Sequence, residues 1–411
     1  MNLPFFVARR LSLYSQKSFS AFIIRIALIA VSLSVCVMII GTAITRGYQE
    51  VITEKFYACW GQIHVTNFMP DPGNLLNDEK ISYDPNLHQQ LKQIPGVRSV
   101  IPYRIQSALI KTPSEIEGIV LKGYPPEEIK QQMGPFLKSG KLIQSGESAY
   151  SDQVLISSTL SRLLNLNVGD QIFLYFVKTD AIQPKIRKIR VQGIYATGLE
   201  DFDKTMVICD GALIRAVNDE TEELIQGYEI NIQDKKLVQP IRDYIYENLA
   251  KAPLQTYTIQ ERFSNVFSWL DMMKMNEKII LFIMMIIAII NMITAILILI
   301  MERTRMVGVL KAMGMPHFDI QRIFIYACMY IVFMGIFIGS VMGVSMCLLQ
   351  QKFGLFTLDE STYYVKTVPV SIHAGNLLFI AGLTASVCFV LLLIPSFIIR
   401  HISPVKAIRF D

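Results

Sequence analysis

Met301-Glu302-Arg303-Thr304-Arg305-Met306-Val307-Gly308-Val309-Leu310-Lys311-Ala312-Met313-Gly314-Met315-Pro316-His317 separates two of the longest apolar runs in the chain. Before it, Ile279–Met301 has only Asn291 and Thr294 as polar residues and no charge; after it, Ile323–Leu349 contains no Asp, Glu, Lys, Arg or His. A run of about 18 or more such residues crosses a bilayer core of about 30 Å, at about 1.5 Å per residue. The stretch between is therefore a short loop at one membrane face. Within it Met306, Leu310 and Met313 recur at helical spacing with Val309 beside them, while Arg303, Arg305 and Lys311 carry the charge. Gly314 suits a left-handed helix end and Pro316 cannot continue the helix. An amphipathic helix left without a bilayer needs a partner for its oily face. A basic loop that only anchors topology would have the same composition, and pattern alone leaves both readings open.

The 411 residues are 52% hydrophobic with a mean hydropathy of +0.39, too apolar for an ordinary soluble protein. The net charge of +5 hides an asymmetry: Arg46–Glu277 holds 25 basic and 29 acidic residues, and the remainder holds 14 and 5. The basic excess thus accompanies the apolar runs, which speaks for membrane topology and against nucleic-acid binding.

Met1–Arg25 carries Arg9, Arg10, Lys17 and Arg25 among Phe5, Phe6, Leu11, Leu13, Tyr14, Phe19 and Phe22, with no acid. It reads as an interfacial helix over 1–25 leading into a span, not as a cleaved signal. The expected spans are 26–45, 278–301, 323–349 and 377–399, with the loop at 302–322, a second short loop at 350–376 and a tail at 400–411. Four spans put both termini on one side. Met1–Arg25, Glu302–Arg322 and Arg400–Asp411 hold four, four and three Lys/Arg, whereas Gln350–Asn376 balances two against two acids. The termini and the 302–322 loop are therefore expected in the cytoplasm.

That sends 46–277 outside as one insertion between the first and second spans, long and varied enough for a folded α+β domain of one or two lobes. Asp84-Pro85 opens a helix with Leu87, Leu91 and Ile94 on one side. Ser157 or Ser158 caps another through Leu160, Leu163 and Leu164. Gly169-Asp170 turns into a strand in which Ile172, Leu174 and Phe176 alternate, and Ile189 and Val191 alternate with Lys188, Arg190 and Gln192. A further helix starts near Pro240. Thr258-Ile259-Gln260-Glu261 is a capping box, with no Pro or Gly from there to Gly308. Phe263, Val266, Leu270 and Met273 then follow at helical spacing, predicting a rigid stalk continuous with the second span. Tyr48, Val51 or Ile52, and Lys55-Phe56 supply candidates for its partner.

Glu302–Gly314 closely resembles the loop of the permease superfamily that contains the macrolide exporter, the cell-division permease and the lipoprotein-releasing permeases. Met306 and Met313 depart from its other aliphatic residues but keep the apolar face. Outside the loop the likeness points to the lipoprotein-releasing permeases. Arg46-Gly47-Tyr48-Gln49-Glu50, Asn167-Val168-Gly169-Asp170, Gly193–Asp203 and Tyr363–Val370 resemble their motifs, and Ser403–Arg409 resembles a tail of the whole superfamily. The combination is specific; taken singly, Gly169-Asp170 is an ordinary turn and Tyr363-Tyr364 an interfacial aromatic belt.

The resemblance implies four transmembrane α-helices with a large extracytoplasmic α+β domain between the first two, the type VII ABC transporter architecture. It makes Glu302, Arg303, Arg305, Met306, Val309, Leu310, Lys311, Met313 and Gly314 the surface that docks on a cytoplasmic ABC ATPase. It also implies a second permease chain, identical or related, a lipoprotein substrate drawn from the inner membrane, and a periplasmic carrier that receives it. The chain lacks Gly-x-x-x-x-Gly-Lys-Ser/Thr, so ATP is expected on the separate ATPase, with no cofactor bound and no catalysis by this chain. Uncharged span interiors weigh against ion-coupled transport. The five histidines show no metal-ligand spacing, and Cys59 and Cys209 are the one pair placed to bridge, a weak signal at that separation. The alternatives are a macrolide-exporter-like efflux or mechanotransmission permease, and a receptor or adhesin with no ATPase.

Overall fold

A computed structural model of the chain describes residues 19–68, 79–112, 115–144, 150–176, 184–220, 223–359 and 363–396. The interfacial helix expected before residue 19, the end of the fourth apolar run and the Ser403–Arg409 motif lie outside them. Four helices are long and apolar enough to cross a membrane, and the external domain is inserted between the first and second. The chain forms two compact units. One takes the residues up to Glu50, Leu270–Thr357 and those from Thr367 on; the other takes Val51–Trp269 and Leu358–Lys366.

The first unit is built on helices Phe19–Trp60, Ser264–Glu302, His317–Phe353 and Ala374–Ser396, the first two of which begin or end in the other unit. Val31, Val35 and Ile39 of the first pack with Ile296 and Leu299 of the second, Phe324, Cys328 and Val332 of the third, and Ile380 and Leu392 of the fourth. Between membrane helices no hydrophobic force operates, so close approach must come from small residues. Gly335, Gly339 and Gly343 provide it at four-residue spacing. A Cβ on Gly335 would lie 2.7 Å from Val31 Cγ1, one on Gly339 would lie 2.4 Å from the Ser32 carbonyl oxygen, and one on Gly343 would lie 3.2 Å from Ile39. The third helix is thus seated directly on the backbone of the first. At the helix end, Gly47 meets the Pro369 carbonyl in the same way, at 2.4 Å, and the Ser371 amide donates to Ala43 O.

The second unit contains a ten-stranded sheet. Its strands are β1 (Ile63–Asn67), β3 (Val97–Lys111), β4 (Ile116–Tyr124), β5 (Leu137–Gly140), β6 (Gln153–Ser157), β7 (Gln171–Phe176), β8 (Lys185–Tyr195), β9 (Met206–Asp210), β11 (Gly227–Ile232) and β12 (Leu254–Thr258); β2 (Ile81–Ser82) and β10 (Leu224–Ile225) pair separately. The pairings β3–β4, β4–β9, β9–β6, β6–β8, β8–β7 and β7–β3 close a six-stranded ring. Leu121, Val154, Ile156, Leu174, Phe176, Ile189, Val191 and Val207 belong to the core that this ring shares with neighbouring helices. The other lobe is the sheet β12–β1–β11 with the first half of β3, covered by helices Pro85–Gln93 and Val238–Asn248 through Leu87, Leu91, Ile241 and Ile245.

Local expectations fare well here. Asp84 caps the helix Pro85–Gln93 by accepting from the Asn86 amide, and Ser157, not Ser158, caps Ser158–Leu163 through the Leu160 amide. Ile172, Leu174 and Phe176 point inward from β7, as do Ile189 and Val191 from β8. One expectation fails. The capping box is present, but its helix stops at Arg262, because Phe263 leaves helical geometry at φ −105°, ψ 46°. The stalk helix begins only at Ser264, so Phe263 is the joint before it and not its first turn. Cys59 and Cys209 are both buried free thiols rather than a bridge, and burial holds Cys59 up to about 12.

Gly382, with nothing within 4 Å of a built Cβ, is the control for the glycine seam. Ala in place of Gly in a helix is worth about 0.5–1 kcal/mol where space allows. Gly382→Ala should leave the melting temperature of the purified chain unchanged or raised, and Gly339→Ala should lower it. Equal stability of the two variants would show that the first and third helices are not in close contact.

Candidate coupling sites

After Glu302 the backbone breaks at Arg303 (φ −101°, ψ 19°) and restarts as the short helix Thr304–Ala312. Thr304 Oγ1 donates back to Met301 O at 2.7 Å, closing the preceding turn. Gly314, at φ 86°, donates to Lys311 O, and the Met315 amide donates to Leu310 O, so the helix ends as its Gly-Met-Pro sequence requires.

The apolar residues of this helix do not share one fate. Val307 is buried, and Met306 and Leu310 pack against the core of the membrane helices. Val309 and Met313 turn outward, 49% and 78% exposed, near Met301 at 76% and Phe318 at 60% in sequence. The expected oily face of Met306, Leu310 and Met313 is therefore divided: two of its members hold the helix to its own chain, and Met313 with Val309 remains for another surface. Glu302 and Arg305 are exposed, and Arg303 and Lys311 are half-buried. An exposed apolar pair among cations, on a helix braced from behind, can receive a push and pass it to the helices behind it.

A second cluster lies at the base of the external domain. Phe56, on the first long helix, meets Phe263 and Phe267 at ring-centroid distances of 5.0 and 5.7 Å. Trp60 meets Phe263 at 5.6 Å, and Gln260 Nε2 donates to Tyr57 Oη at 3.1 Å. The two stalk segments are thereby zipped together by aromatic rings. Val266 lines a small apolar cavity of about 50 Å³ with Phe56, Trp60, Phe202, Phe263 and Tyr364. Leu270 is buried and accepts from Gln49 Nε2 through its carbonyl, while Met273 is half-buried.

Lys55 holds the backbone at Tyr364 here. Its ammonium donates to Tyr364 O at 2.6 Å and approaches Gly198 O at 3.5 Å. Tyr364 adopts φ 59°, a left-handed conformation uncommon for a bulky side chain and retained only where its surroundings impose it. Asp203 accepts from Thr197 Oγ1 at 2.8 Å and from the amides of Thr197 and Gly198, fixing the turn that presents the Gly198 carbonyl. Burial pushes the Asp203 carboxyl up, against these hydrogen bonds. So Lys55, the Gly193–Asp203 motif and the Tyr363–Val370 motif meet at one place. All three stand out separately in the sequence; the contact between them joins chain segments more than 140 residues apart. Among the described residues no group of three or more His, Cys, Asp and Glu is placed to hold a metal ion.

Comparison with known proteins gives two regional matches: residues 26–245 to the family described as the MacB-like periplasmic core domain, and residues 278–404 to the FtsX-like permease C-terminal family. Among curated relatives, a lipoprotein-releasing system transmembrane protein LolC of Neisseria meningitidis serogroup B is 19% identical over 98% of this chain and 98% of its own. A LolC of Xylella fastidiosa is 20% identical over 96% of both, and a LolE of Haemophilus influenzae is 22% identical over 92% of both.

Removing the Lys55 clasp should free the segment it holds. In Lys55→Met, amide exchange across Leu358–Lys366 should quicken by about tenfold, the scale of one hydrogen bond to a charged donor. Exchange unchanged by mass spectrometry would show that Lys55 does not retain this loop.

Proposed function

Because the chain belongs to the LolC/LolE-type permeases, a family that joins a MacB-like periplasmic core domain to an FtsX-like permease C-terminal region, we propose that it is the membrane subunit of a lipoprotein-releasing ABC complex. The observation that carries this reading is the extent of the likeness, which runs through 98% of both chains in the Neisseria relative and not through one domain alone. Efflux and mechanotransmission permeases share the architecture, but three relatives matched over at least 92% of both chains carry the lipoprotein-release name.

In this reading the chain sits in the inner membrane with its termini and the 302–322 loop in the cytoplasm, and the 46–277 domain in the periplasm. A separate ATPase binds and hydrolyses ATP; two permease chains, identical or related, complete the complex. Each acyl chain of a lipoprotein is held in the bilayer by about 0.8 kcal/mol per buried CH₂, so a multiply acylated protein does not leave unaided. ATPase closure presses on Val309 and Met313. Met306, Val307 and Leu310 convey that displacement to the membrane helices, and the stalks convey it to the external domain, which hands the cargo to a soluble periplasmic carrier. This chain supplies the apolar path and the linkage, and the bond-breaking is the ATPase's.

Two experiments test the reading. Depleting the chain should leave acylated proteins in the inner membrane that otherwise reach the outer one; normal sorting with altered drug sensitivity or cell chaining would transfer the chain to the efflux or mechanotransmission reading. For the coupling surface, Val309→Asp and Met313→Asp should leave the chain inserted but abolish ATPase stimulation, since an uncompensated carboxylate at an interface costs several kcal/mol. Leu310→Asp should instead reduce the yield of folded chain. Arg303→Ala and Arg305→Ala should be mild, about 1 kcal/mol or less. An impermeant thiol reagent should label Glu115→Cys from the periplasm and leave Met313→Cys silent until the inner membrane is opened; the reverse pattern would overturn the topology.

A further inference from the structure

A group of charged and aromatic side chains is sealed inside the external domain where both stalk ends enter it. Lys122 of β4 and Glu229 of β11 form an ion pair at 2.5 Å with both side chains fully excluded from solvent. Glu229 also accepts from Tyr124 Oη at 2.8 Å, and Lys122 donates to Cys59 O at 3.4 Å. The Lys122 ammonium stands 3.6 Å from the ring centre of Trp60, the last residue of the first long helix. The guanidinium of Arg262, 4% exposed, lies 5.1 Å from the centre of the same ring and donates to Tyr257 Oη. Arg262 is the residue before the Phe263 joint from which the second stalk departs.

The elements joined here are the closed ring, through β4; the four-stranded lobe, through β11; and the ends of both stalks, through Trp60 and Arg262. Stability does not explain such a choice. Removing two ions from water costs several kcal/mol each, and a well-packed apolar replacement of a buried pair is often neutral or stabilising. Burial lowers Lys122 to about 8, against the pull of Glu229, and raises Glu229, against the pull of Lys122. Burial also holds neighbouring His64 neutral, with the cations of Arg262 and Lys122 adding to the effect. An ion pair with two cation–π contacts does give direction: unlike an apolar contact, it loses much of its strength when the ring or the carboxylate turns away.

We propose that Lys122 and Arg262, gathered on Trp60, and Glu229, paired with Lys122, are positioning residues of transport: a dry ionic joint that fixes both stalk ends to the ring and the sheet so that stalk displacement is delivered to the domain without slip. The role rests on the proposed function, since it presumes that the stalks carry work; the joint itself does not.

The test separates the two. Spin labels are placed at Ser268→Cys on the second stalk and Glu115→Cys beside β4, both exposed, in the full-length chain within its purified complex; the six native thiols are buried. The distance distribution should be narrow. Lys122→Met alone leaves Glu229 buried without its paired ammonium and is expected to fold poorly, so the decisive variant is Lys122→Met with Glu229→Gln, which removes both charges and keeps an acceptor for Tyr124 Oη. It should keep its melting temperature and ATP hydrolysis while the distribution broadens and ATP-driven loss of an acylated reporter protein from proteoliposomes falls about tenfold, within the range that coupling sites produce. Trp60→Leu, which keeps the ion pair and removes the ring, should broaden it equally and serves if the double variant does not fold. A narrow distribution with full release in either folded variant overturns the proposal. Broadening in a protein whose unmutated form releases no reporter would instead uphold the joint and remove the transport reading.

Discussion

A bilayer withholds the force that folds soluble proteins, because lipid tails receive a Leu or Ile side chain as readily as another helix does. What holds the membrane unit together must therefore be contact at short range. The seam of Gly335, Gly339 and Gly343 against Val31, Ser32, Val35 and Ile39 meets that requirement, bringing one backbone within reach of the other. The loop helix depends on the same unit. Met306, Val307 and Leu310 have somewhere to go only because the membrane helices already form a core, and their insertion is what turns Val309 and Met313 outward.

The external domain solves the opposite problem. It lies in water, where burial of apolar groups is favourable by about 25 cal/mol per Å², and it has apolar cores on both sides of β3. Its unusual feature is the charge it encloses. Lys122, Glu229 and Arg262 lie inside it, at the point where the chain enters and leaves, and the aromatic zipper of Phe56, Phe263 and Phe267 continues outward from them along the stalk segments. Lys55 adds a second fastening by capturing the Tyr364 carbonyl.

Much of this was legible from the chain alone, and the limits have physical causes. Apolar runs reveal spans because the bilayer has a fixed thickness, and Asp84, Ser157 and the Thr258–Glu261 box mark helix starts because capping is local. The four-residue glycine spacing was there to be read, but only coordinates identify Val31 and Ser32 as what it meets. Helical periodicity grouped Met306, Leu310 and Met313 on one face without revealing that the chain itself covers part of it. The break at Phe263 carries no Gly or Pro to announce it; it falls where the ring packs against Phe56 and Trp60. Closure of β7 onto β3 joins residues more than 60 positions apart, and no local pattern encodes that. Lys122 and Glu229 defeat pattern reading most thoroughly, since a charge in a strand is ordinarily assigned to the wet face.

The closed ring also decides how the domain bears load. An open sheet pulled at its edge yields one hydrogen bond at a time, like a zipper. A ring offers no outermost strand: tension entering at β4 passes to β3 and β9, and from both directions around to β8. β3, 15 residues long, runs from the four-stranded lobe into the ring and is hydrogen-bonded in each. Such a body resists as a whole under shear and stores little deformation. Within that body the chain changes direction at Phe263, whose ring is held between those of Phe56 and Trp60.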